Sequence, residues 1–201
     1  MALNPASPWA LLNTGIMRIE RGEPDCVEPV VAAVERDPRL ANWAFPAARE
    51  YLRQHPTTEG VITYQTRLDA VSAKYGTWRF ERDCEPGLRE KFLAAELSAD
   101  AENAIGEALA GVRGVITATL VRRVTSEWND IPAFVLAVRM SGGWAGSTPK
   151  DEEEARASLN RAYEVVGVYG SVQVIFPEAW NEHLVAWRIK RVKGAFHFAR
   201  D

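Results

Sequence analysis

Over the first 111 residues, apolar positions recur at intervals of three and four, the spacing of one helical face. Ser7-Pro8 pairs a hydroxyl cap with proline at the first helical position and predicts a short helix through Trp9, Leu11 and Leu12. Pro24-Asp25 opens a second, with Val27, Val30, Val31 and Val34 on one face and Pro38 beyond its end. Pro29 falls in its first turns, where a missing N–H costs little. A third runs from about Phe45-Pro46 to His55, with Ala48, Tyr51 and Leu52 sharing a face. Thr58 caps a longer segment in which Val61, Tyr64, Leu68, Val71 and Tyr75 recur, although residues 61–66 (Val-Ile-Thr-Tyr-Gln-Thr) equally suit a strand. Pro86 opens a helix through Leu88, Phe92 and Ala95, and Ser98 or Asp100 caps another through Ala104, Ile105, Ala108 and Leu109 to Gly111. This half therefore predicts helices alone, as an antiparallel bundle or array.

The pattern changes near residue 112. Val115–Val124 and Ala133–Met140 are rich in β-branched residues and flank a polar turn at 125–130, which predicts a hairpin. A glycine-rich connector, 141–148, leads to Pro149 and four acids, Asp151 to Glu154, a strong helix start. Ala155, Leu159, Ala162, Tyr163 and Val166 form the apolar stripe of that helix, and Gly167 stops it. Val168–Phe176 reads as a third strand, 177–182 as a turn and Leu184–Val192 as a fourth strand, with Gly194 before a short tail.

The expected fold is α+β: a helical N-terminal half followed by a four-stranded mixed sheet, in the order strand–strand–helix–strand–strand, with one long helix on its face. The regions are 1–111 and 112–201, close enough in the chain to form one integrated domain. Leu159, Tyr163 and Val166 are expected to pack on a sheet containing Val135, Val172 and Val174. If strands 133–140 and 168–176 are neighbours, the helix between them is a crossover joining parallel strands.

Composition adds bounds. The 201 residues carry 47% hydrophobic and 25% charged side chains, which excludes a wholly disordered chain. A chain of this length buries roughly 70% of its unfolded surface and needs no metal or disulfide staple. The richest apolar run, Ala133–Val138, is far short of the roughly 20 residues of a membrane span. Net charge is −3, too mild for a general nucleic-acid binder. Cys26 and Cys84 sit among acids, which raise a thiol's pKa, and two isolated thiols fit a reducing compartment better than a single bridge. The N-terminus lacks a basic start and a long apolar stretch, so no secretory signal is read and the cytoplasm is expected.

Candidate chemistry is sparse. The loop 142–150 lies where phosphate cradles occur, but Lys150 follows proline and the helix it opens begins with four acids. His55, His183 and His197 are far apart, so neither a metal nor a cofactor is predicted, and no residue is assigned a catalytic role. Adjacent Glu182 and His183 on a strand would point to opposite faces. The stretch 187–200 mixes five cations with three aromatics, a mixture suited to single-stranded nucleic acid, yet an edge strand guarded by charge explains it better.

Seven tryptophans are many for this length, and Trp128, Trp144 and Trp180 fall in polar loops. With parallel strands, the loops carrying Trp144 and Trp180 leave the same sheet end and Trp128 lies at the other, so Trp144, Trp180, Glu178, Glu182 and His183 form the candidate ligand site. The leading functional reading is a non-enzymatic intracellular binding or regulatory protein for a protein partner or small ligand. An enzyme with dispersed carboxylate and histidine groups comes second. A nucleic-acid binder acting through the C-terminal strand comes third and is disfavoured, and no membrane partner is expected.

Overall fold

The computed structural model describes residues 7–23, 25–56, 60–141, 159–177 and 182–200. Among them are seven α-helices, one 3-10 turn and five strands, the mixture of helix and sheet that the hydrophobic pattern implies. The chain divides into two compact units, residues 1–80 and 81–201.

The first unit is helical: α1 (Pro8–Glu20), α2 (Val27–Arg36), a 3-10 turn (Pro38–Leu40), α3 (Ala41–Gln54) and most of α4 (Val61–Asp83). The Ser7 hydroxyl accepts from the Ala10 N–H at 3.2 Å, and Pro8 fills the position that needs no amide partner. Helices α1 and α2 meet at Gly15, where a Cβ would stand 2.4 Å from Val30 Cγ2. The α2 valines at 27, 30, 31 and 34 are all buried, the face their spacing predicts. Helix α3 begins at Ala41, earlier than Phe45, so Pro46 lies inside it. Residues 61–66, equally suited to strand or helix, are helical, and α4 continues past Tyr75 to Asp83. Arg67 of α4 clamps two acids of α2, bonding Glu28 and, at 2.9 Å, Glu35.

The second unit contains β1 (Phe92–Ala94), α5 (Ala99–Ala110), β2 (Val115–Arg123), β3 (Ala133–Met140), α6 (Asn160–Gly167), β4 (Ser171–Ile175), α7 (His183–Ile189) and β5 (Phe196–Ala199). Strand order is β1-β2-β3-β4, with β5 also on β2. Pairing is antiparallel except for β3–β4, which is parallel, with Ala133 opposite Ser171 and Ala137 opposite Ile175. Strands β1 and β5 follow one another along the same edge of β2, at residues 121–123 and 117–120.

Several expectations are corrected. The sheet has five strands, and the strand–strand–helix–strand–strand order does not hold. Segment 184–192 is no strand: Val185, Ala186 and Ile189 form the buried face of α7, and the sheet's last strand is the tail segment 196–199. Segment 86–95 is not a helix: it turns at Leu88-Arg89 and then forms β1 at Phe92–Ala94. The compact units divide between residues 80 and 81, and α5 packs on the sheet with Ile105, Ala108 and Leu109.

Period-two alternation gives the sheet two apolar faces. One carries Leu120, Phe134, Leu136, Val138 and Val174 and is covered by α5 and by Leu159, Ala162 and Val166, with Tyr163 and Val172 partly buried there. The other carries Val121, Val135, Ala137 and Ile175 and is covered by α7. Val135 is therefore on the opposite face from Val172 and Val174, since adjacent residues of β3 alternate. The first part of the helix read over 149–166, including Ala155, lies outside the described residues.

Candidate functional site

Parallel β3 and β4 run toward the same end of the sheet. Trp128 lies in the hairpin loop at the other end of β3. Of the site residues, Trp144, Glu178 and Trp180 lie outside the described residues. Glu182 and His183 are described, and neither stands on a returning strand: His183 is the exposed first residue of α7, and Glu182 precedes it. Glu182 is buried, and its carboxylate accepts the Phe176 N–H, tying the chain before α7 back to the end of β4. That bond spends one carboxylate oxygen on the fold.

The basic C-terminal stretch is dispersed by helix α7. Arg188 donates to the Glu90 carbonyl at 2.8 Å, and Arg191 lies 3.5 Å over the Trp187 ring. Arg200 reaches the end of α5, donating to the Ala110 carbonyl at 2.7 Å and to Val112 at 2.8 Å, which satisfies acceptors that a helix C-terminus leaves open. Arg188 and Arg200 thus tie elements of the sheet unit together, while Arg191 stacks within its own helix.

A polar cluster that sequence reading missed lies on the α7 face of the sheet. Arg123, 3% exposed, ends β2 there. It bridges Glu90 at 2.6 Å and donates to the Cys84 carbonyl at 2.8 Å, with its Nη2 3.2 Å from the Cys84 sulfur. Only the odd-numbered parity of Arg123 with Val121 and Thr119 hinted that it points inward. Nothing in the sequence linked it to Glu90. Cys84 and Cys26 are free thiols, and burial pushes the Cys26 thiol above its ordinary pKa.

Two exposed surfaces among the described residues bear on binding. On the helical unit, Trp9 and Trp43 are 53% and 57% exposed, with ring centroids 5.7 Å apart. On the sheet unit, a groove of about 600 Å³ runs between β5 and the outer flank of α5, lined by Glu102, Asn103, Gly106 and Glu107 on the helix side. No three His, Cys, Asp or Glu side chains among the described residues gather to hold a metal ion, and no described helix is long and apolar enough to cross a membrane. Comparisons of the chain with protein-family models, curated proteins and solved structures find no match.

Proposed function

We propose that the protein is an intracellular, non-enzymatic binding or regulatory protein that recognises a protein partner. The observation that carries this reading is the Trp9–Trp43 pair, two large aromatic rings in mutual contact and each more than half exposed. Burying such rings against a partner removes a large apolar area from water, and tryptophan is enriched among the residues that dominate binding energy. Two free thiols fit the reducing interior of a cell. The nucleic-acid reading has less support, because Arg188, Arg191 and Arg200 are engaged within the fold.

The test places a photo-crosslinking amino acid at exposed Asn13, one helical turn from Trp9, in cells. A discrete protein adduct is expected, and the Trp9→Ser/Trp43→Ser variant should lose it while keeping its thermal midpoint. Absence of a protein adduct, or adducts unchanged in the double variant, would overturn the reading.

A further inference from the structure

We infer that the outer edge of β5 is a strand-addition site for an extended segment of another protein carrying lysine or arginine at alternate positions. The inference deepens the binding-protein reading by adding a second surface of stated chemistry, and it stands on residues other than Trp9 and Trp43.

The backbone supplies the first part. Arg200 donates its N–H to the Ile116 carbonyl at 2.9 Å, continuing the register that pairs Phe198 with Ala118 and Phe196 with Leu120. In an antiparallel ladder the residues of every second pair exchange both backbone bonds. Arg200, Phe198 and Phe196 therefore bond inward to β2, and the N–H and C=O groups of His197 and Ala199 point to the outer edge. No described strand lies beyond them. Such an edge is a template for one more strand, a mode of peptide recognition in which the main chain supplies affinity and alternate side chains supply specificity.

The groove supplies the second part. The α5 flank is recessed at Gly106, where an added Cβ would meet nothing within 4 Å. Glu102 and Glu107 border that recess, and its lining holds His197 but no Lys or Arg. On the other face of the sheet, Lys190 lies beside His197, whose ring is held at 3.1 Å by the Thr119 hydroxyl. Side chains of an added strand would alternate between these two environments, acidic on the α5 side and basic on the other. Cations at every second position match the acidic side. A second copy of this chain matches poorly, because two-fold pairing of β5 with β5 would bring Glu102 and Glu107 against their own counterparts.

The test titrates the full chain with a short peptide alternating lysine and threonine, followed by NMR and amide exchange. Saturable binding with slowed exchange at His197 and Ala199 is expected. Glu102→Lys/Glu107→Lys should weaken it by about tenfold or more. Gly106→Phe should abolish binding by filling the groove, and Gly106→Ala should retain it; unchanged circular dichroism shows that each variant is folded. No binding, or binding without protection of these two amides, overturns strand addition at β5. Equal binding of a peptide with glutamate in place of lysine overturns the charge class. Self-association that protects the same amides overturns the choice of occupant. All of these outcomes leave the Asn13 cross-linking result standing, and its failure leaves them standing.

Discussion

Arg123 shows how much of this fold rests on single polar contacts. Its guanidinium is buried at the end of β2 and is satisfied by Glu90 and by the Cys84 carbonyl. Removing the cation strands a partly buried carboxylate, so Arg123→Leu should cost about 3 kcal/mol in chemical denaturation. Replacing Glu90 by Gln in the same chain should recover part of that loss, because the two residues act as one unit. Asp37 is the corresponding residue in the helical unit. Its carboxylate bonds the Arg39 guanidinium at 2.8 Å and accepts the Arg39 N–H at 3.0 Å, starting the 3-10 turn. The Arg39 side-chain bonds hold its pKa below the ordinary 3.8 against the opposing effect of burial. A depressed folded pKa means that the unfolded chain takes up the proton first. The stabilisation is therefore complete above pH 3.8 and is lost as pH falls through the folded value. Acid titrations of stability should be shallower below that pH in Asp37→Asn than in the parent chain.

At the scale of elements, two helical glycines have opposite meanings. Gly15 of α1 lets α2 approach so closely that a Cβ would stand 2.4 Å from Val30 Cγ2 and 3.0 Å from the Val30 nitrogen. Backbone cannot give way as a flexible side chain can, and Gly15→Ala should lose about 1–3 kcal/mol through overpacking. Gly106 of α5 has open space in the same direction. There the helix gains from a residue of lower conformational freedom, and Gly106→Ala should stabilise by up to about 1 kcal/mol. Thermal melts of the two variants should shift in opposite directions. Equal shifts would mean that the α1–α2 contact is looser than its geometry states.

For the whole molecule, β2 is the organising element of the sheet unit, paired with β3 along one edge and with β1 and β5 along the other. Its residues Leu120 and Val121 are fully buried on opposite faces of the sheet. Both residues are paired on β2 between neighbouring strands, whereas the Ala199 amide faces the outer edge of β5. Hydrogen exchange should therefore be slowest at Leu120 and Val121 and fast at Ala199. Comparable rates at the three positions would contradict this hierarchy.

What the sequence determined by itself is the local structure whose signals lie within one turn or one hairpin. Ser7-Pro8 caps the helix it was expected to cap, Ser98 is the cap of the two candidates Ser98 and Asp100, and the valines of 27–34 bury the face their spacing marks. The hairpin of β2 and β3 follows from two β-branched runs around a polar turn. The parallel run of β3 and β4 was legible only on the condition that the two strands are neighbours, because a helix between neighbouring strands leaves few topologies. Tertiary structure decided the rest. Val185, Ala186, Trp187 and Ile189 have the composition of a strand, yet they form a helix, because the face bearing Val121, Val135 and Ile175 needs an apolar cover and a helix supplies one. The strand fell instead to Phe196–Ala199, whose phenylalanines pack on the other face while its backbone completes the edge of β2. Glu90, Cys84 and Arg123 are separated along the chain by spacings that obey no motif, so only the folded sheet could bring them together. The β5 groove has the same origin: its floor and its wall belong to different elements, and local patterning carries no information about which edges remain unpaired.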